Sequence, residues 1–323
     1  MSKYRDEQLA QLEVVRRHRE QAVARFFDAT LPEATRLESA PSTGTFAGDD
    51  EIARAIALFR DGTASPLLRA AALNGLSTRL LRDDALLREI LGVLEDTSAP
   101  SQLRHAALFA MQSLHFGSSV LAAVRPRYKN ALRGLLDDAD ALLRQFAAEY
   151  LALDKDEYVQ RRLLDGLREP GRAIVAPELA IQYLANDLHS DVVPLLREIA
   201  MRPPSAAAKK EALRNLAIDP ESKALLAERV RDDAEDPEIR HVCAVALFQL
   251  DPALAAQLAK EIVVNDAADD ELRAALLNTL EHLCPPDASE DGEFRARVAA
   301  IAGASTSAPL QRMARGYRDR HRP

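Results

Sequence analysis

Five Asp-Asp pairs stand at positions 49–50, 83–84, 137–138, 232–233 and 269–270. Paired carboxylates can pass protons in acid/base catalysis. Their recurrence just ahead of apolar segments fits a second use, in which a carboxylate accepts the free N–H groups of a helix's first turn. Seven histidines, at 18, 105, 115, 189, 241, 282 and 321, and two cysteines, Cys243 and Cys284, complete the candidates. His105 and His241 hold the same place in a repeat but four repeats apart, too far to share a metal in an extended array. Cys243 falls on an apolar stripe, where a free thiol behaves as a small apolar residue. No Gly-Lys-Ser/Thr phosphate loop, Gly-x-Gly-x-x-Gly, His-Glu-x-x-His or Gly-x-Ser-x-Gly occurs. These residues predict a non-enzymatic chain with no metal and no cofactor.

The basic residues offer a different chemistry. Arg69, Arg104, Arg144, Lys209, Arg240 and Arg273 recur like rungs, and Arg312, Arg315, Arg318, Arg320 and Arg322 crowd the C-terminus against Asp319. Either set could meet phosphates. The net charge of -8 argues against bulk attraction to nucleic acid or an anionic membrane. Nucleic acid is therefore expected only as a contact of the C-terminal patch, if at all.

The elements that position these groups are helical. Of 323 residues, 47% are apolar and 28% charged, with no Trp, which suits a folded chain rich in helix formers. Two cysteines make no disulfide framework, the first residues are polar, and no apolar run reaches membrane-span length, so a cytoplasmic location is expected. Residues 1–29 predict one amphipathic helix, with Leu9, Leu12, Val15, Ala22, Val23 and Phe26 at helical spacing. Residues 30–48, with Pro32, Pro41, Gly44 and Gly48, predict a loop or tether.

Residues 49–323 repeat. Aligning on Arg69, Arg104, Arg144, Ile181, Lys209, Arg240, Arg273 and Gln311 gives spacings of 28 to 40 residues, in the range of helical solenoids. One position before each anchor stand Leu68, Leu103, Leu143, Ala180, Ala208, Ile239, Leu272 and Leu310. Three after stand Ala72, Ala107, Ala147, Leu184, Ala212, Cys243, Leu276 and Ala314. Seven after stand Leu76, Met111, Leu151, Leu188, Leu216, Leu247, Leu280 and Arg318. Twenty-three of these 24 are apolar, and the spacing places them on one helix face. The exception, Arg318, lies in the last unit, where a capping repeat turns polar. A first helix precedes each of these, several opening on Asp or Asp-Pro, as at Asp219-Pro220 and Asp251-Pro252.

Two helices per unit, a proline between them and an Arg or Lys after the first buried position resemble the HEAT-repeat family. Ser65–Leu76, Pro100–Met111, Asp138–Leu151, Asp236–Leu247 and Asp269–Leu280 carry the resemblance best. It implies an all-α fold, a right-handed α-α superhelix (α-solenoid) of about eight helix pairs after the N-terminal helix. It also implies that the basic rungs pair with Asp in the inter-helix turns, as Asp138 before Arg144 would. HEAT-like di-iron hydroxylases use His-Glu pairs, and this sequence has only the reversed Glu281-His282.

Positions one, five and eight after each anchor are expected to face outward along a concave groove. There His105, Phe109, Gln112, Gln145, Glu149, Gln182, Asn186, Lys210, Arg214, His241, Val245, Phe248 and Asn278 form the candidate binding strip. Amides around outlying aromatics suit protein recognition. The expectation is a scaffold or adaptor holding a protein partner. The alternatives are an accessory subunit of an enzyme, as in lyases of HEAT-like type, and nucleic-acid binding through the basic C-terminus.

Overall fold

The apolar stripe read from the sequence is the core. Its 22 described apolar members are all buried, and Leu188 lies outside the described residues. The structure is a computed structural model that describes residues 2–113, 119–187, 192–283 and 292–320. Every regular element among them is helical. The chain divides into two compact units, Met1–Leu151 and Ala152–Pro323. No helix among the described residues is long and apolar enough to cross a membrane.

Unit 1 begins with α1 (Ser2–Phe27) and α2 (Glu33–Thr43), followed by α3 (Asp49–Arg60) and α4 (Pro66–Asn74). A single turn, α5 (Ser77–Leu80), leads to α6 (Asp84–Glu95) and α7 (Ser101–Ser113), then α8 (Ser119–Leu135) and α9 (Ala141–Leu153). Second helices line up, α2 on α4 and α4 on α7, while α6 packs on α8. Unit 2 repeats the plan. Its pairs are α10 (Glu157–Arg168) with α11 (Pro177–Leu184), α12 (Val192–Met201) with α13 (Ala206–Asn215), and α14 (Lys223–Arg231) with α15 (Pro237–Leu250). Then come α16 (Pro252–Val264) with α17 (Asp270–Leu283) and α18 (Gly292–Ala304) with α19 (Ala308–Arg320). First helices stack as α14, α16 and α18, and second helices as α11, α13, α15, α17 and α19. Each pair thus buries its apolar stripe against its own partner and its neighbours.

The tether expected at residues 30–48 is corrected. Those residues hold α2, which packs along α1, so the N-terminal stretch is itself a helix pair. The sequence concealed it because the stripe positions around Arg36 are Thr35, Ser39 and Thr43 instead of Leu or Ala. Ser39 and Thr43 are buried all the same, and their hydroxyls donate to the Thr35 and Ala40 carbonyls. Polar groups at these positions suit the first pair of a stack. Phe46 then locks the pair to the next one. Its ring is buried, its N–H donates to the Gly75 carbonyl at 2.9 Å, and a Cβ on Gly75 would sit 2.2 Å from the ring. Glycine is needed there for close approach.

The turns inside the pairs are chemically uniform. Asp28, Asp61 and Asp96 each accept from the N–H and the hydroxyl of a Thr or Ser two residues on. Asp138, Asp232 and Asn265 accept from the N–H alone. Of the Asp83-Asp84 pair it is Asp83 that caps, accepting from the Leu86 N–H, and Asp251 caps α16 by accepting from the Leu254 N–H. The helix α8 runs through Pro126 as one element.

Arg36, Arg69, Arg240 and Arg273 each donate Nε to a carbonyl ten residues back, on Phe26, Phe59, Val230 and Val263, at 2.9–3.0 Å. Arg240 and Arg273 add ion pairs to Asp233 and Asp266, both at 2.9 Å. Arg104 departs from the pattern. Its Nε is buried without a partner and its Nη2 reaches Asp138 of the next pair at 2.5 Å. Burial would raise the Asp138 carboxyl, but the Arg104 bond and the Asp140 N–H outweigh it and hold the group below its ordinary value.

Two outcomes follow for stability. Phe46→Ala should cost about 3–5 kcal/mol, because a fully buried ring is lost, and a chain starting at residue 49 should melt lower for the same reason. Unchanged urea midpoints in both would restore the tether. Asp138 is depressed in the folded state, so its contribution is present above the unfolded value of about 3.9 and fades as pH falls through the folded value. Asp138→Asn should cost about 3–5 kcal/mol at neutral pH by stranding the Arg104 charge, and should flatten the acid limb of the stability profile. Equal acid sensitivity in variant and wild type would refute the assignment.

Candidate functional site

The strip expected to bind a partner is placed unevenly. In unit 1, α7 and α9 bring two rungs of the strip together. His105 Nε2 lies 2.9 Å from Asp140 Oδ2, off the line of a good hydrogen bond. One turn on, Phe109 is 45% exposed and meets Phe146 edge to face at 5.2 Å between centroids. A further turn on come Gln112, whose Nε2 is buried without a partner, and half-buried Glu149. Gln145 is half-buried beside them, one helical turn before Glu149 on the same face.

The geometry follows from helix periodicity. Residues four apart share a face, so His105 and Phe109 stack along α7, and Gln145 and Glu149 along α9. The paired anchors Arg104 and Asp138 set the spacing of the two helices just beneath.

Unit 2 holds the other strip residues. Gln182, Asn186 and Asn278 are exposed. Lys210 pairs with Glu238 at 2.8 Å, and Arg214 with Glu211. Half-buried His241 has Nε2 at 3.2 Å from the Thr279 hydroxyl, and burial pushes its imidazole below the ordinary value. Val245 is half-buried. Phe248 is corrected: expected on the outer face, it is only 5% exposed. The eighth position of α15 turns inward where the fifth does not, so one aromatic of the expected pair belongs to the core.

The other chemistry-bearing residues are engaged in the fold. Cys243 is fully buried, and burial pushes its thiol up to about 12, which leaves it a neutral packing residue. Among the described residues no three His, Cys, Asp or Glu side chains gather as a metal would require. Cys284, His115, His189 and His321 lie outside the described residues. In the basic C-terminus, Arg315 donates to the Ala302 carbonyl, Arg318 pairs with Asp319, and Arg320 pairs with the buried carboxylate of Glu281. Arg312 is exposed, and Arg322 lies outside the described residues.

Two solved structures are similar along most of the chain. Human deoxyhypusine hydroxylase, in complex with glycerol, is 18% identical over 84% of this chain and 97% of that one, with a TM-score of 0.31. The complex of CpcE and CpcF of phycocyanin lyase from Nostoc sp. PCC7120 is 21% identical over 86% and 96%, with a TM-score of 0.38. No protein-family description and no curated protein matches the sequence. The expectation of a non-enzyme is corrected here. One of the two matched structures is an enzyme, a hydroxylase.

The exposures predict opposite outcomes for two phenylalanines. Phe248→Ala should destabilise by about 3 kcal/mol or more. Phe109→Ala should cost less than about 1.5 kcal/mol, the loss of one aromatic contact. Chemical denaturation of both variants measures this; equal losses would put Phe109 in the core too.

Proposed function

We propose that this chain is a helical-repeat binding subunit that seats a protein partner on the α7–α9 strip of unit 1. The observation that supports the reading is Phe109. A phenylalanine nearly half exposed, backed by a second ring and bordered by Gln112, Gln145 and the His105–Asp140 pair, has the make-up of an interface anchor. Stacked helix pairs hold such a strip with little ordering left to do on binding. Exposed Gln182, Asn186 and Asn278 extend the same chemistry to unit 2 as a surface of its own.

The partner reading includes assembly with an enzyme. An accessory subunit of that kind needs the same anchor, and the chemistry would then be carried by the assembled pair. The basic C-terminus supports nucleic-acid binding less well, because three of its four described arginines already hold partners within the fold.

The test is capture of partners from native lysate by the full chain and by Phe109→Asp, with matched circular dichroism. Mass spectrometry identifies what is held, and absorbance and metal content of the captured complex show whether an enzyme or chromophore is involved. A protein held by the wild type and lost by Phe109→Asp supports the reading. Equal retention by both moves the site elsewhere on the chain, and no capture by the wild type overturns the proposal.

A further inference from the structure

We propose that the occupant of the Phe109 strip is a basic polypeptide segment, with an arginine or lysine laid over the Phe109 ring and its charge set against Glu149. This rests on the partner site proposed above and names the chemistry of what fills it.

The argument is one of charge left over. The arginines of the three second helices in this part of unit 1 are all turned to the fold. Arg69 donates to the Phe59 carbonyl, Arg104 holds Asp138, and Arg144 donates to the carbonyls of Asp138 and Ala139. His105 is set against Asp140. Glu149 has no ion pair among the described residues, although it is half-buried on α9 one helical turn beyond Phe146. A half-buried carboxylate one turn along α9 from the ring that backs an exposed Phe109 is an incomplete site. The ring face attracts a cation through its quadrupole, and the carboxylate attracts it through its charge.

A cationic side chain completes Phe109 and Glu149 together. Nucleic acid does not, since its phosphates would meet Glu149 and Asp140 with every nearby arginine occupied.

Panning a random dodecapeptide phage library on the full-length chain tests this, with counter-selection on Phe109→Asp. Selected peptides should be enriched in Arg and Lys over the input. A synthetic representative should lose about fivefold in affinity on Phe109→Ala and about fivefold on Glu149→Gln, each the loss of one exposed contact. Binding should weaken with added salt. Matched thermal midpoints for the variants keep folding out of the comparison. Neutral or acidic peptides lost on Phe109→Asp would overturn this inference and leave the site standing. Basic peptides unaffected by all three variants would overturn both, and a failure to enrich any peptide would overturn this one.

Discussion

One hydrogen bond organises this molecule: an arginine on the second helix of a pair donating back to a carbonyl at the end of the first. A helix end leaves its last carbonyls without intrahelical partners, and burying such an end unanswered is costly. The guanidinium answers with a planar, permanently charged fork that can serve a carbonyl and a carboxylate at once. Arg240 does so, with Nε on the Val230 carbonyl and Nη2 on Asp233, and Arg273 does the same with Val263 and Asp266. The bond spans a fixed ten residues at Arg36, Arg69, Arg240 and Arg273, so it sets the length of the inter-helix turn as well as closing it.

Where that bond is absent, Arg144 donates to two carbonyls of its own turn, while Lys209 and Arg104 couple adjacent pairs. Lys209 has no fork and pairs with Glu235 of the following turn. Arg104 keeps the fork but spends it on Asp138, leaving its own Nε without a partner. The anchor position therefore has two modes, one that closes its own pair and one that ties successive pairs together. The Arg104–Asp138 pair buries both charges, where Arg240 and Arg273 pair with exposed carboxylates, so it pays the larger desolvation penalty and favours one geometry between neighbours more than it adds stability.

This distinction explains what could be read from the sequence. The helix pairs after residue 49 were legible because burial selects Leu, Ala, Ile, Met or Cys at every stripe position, as at Leu68, Ala72 and Leu76. The pair at the N-terminus was not, because hydroxyls that bond their own helix can be buried almost as readily at the edge of a stack, and Ser39 and Thr43 carry no apolar signal. The turn chemistry would have found it. Asp28, Thr30 and Arg36 repeat the spacing of Asp61, Thr63 and Arg69. At the candidate site, Phe109 was placed correctly on the surface and Phe248 was not. A position eight beyond the anchor is more than two helical turns away, and small differences in helix packing rotate it between solvent and core.

The same bond shapes the surface. Counting basic residues in the sequence suggests a ladder of cations available to a phosphate track. Once each guanidinium is committed to a carbonyl or a turn carboxylate, that ladder is spent on architecture, and the carboxylates that remain set the sign of the exposed face. Glu149 is such a remainder, one turn along α9 from the ring that backs Phe109. Among the described residues Arg69, Arg104 and Arg144 are all engaged in the fold while Glu149 has no ion pair, so the charge of the α7–α9 face favours the basic occupant proposed above.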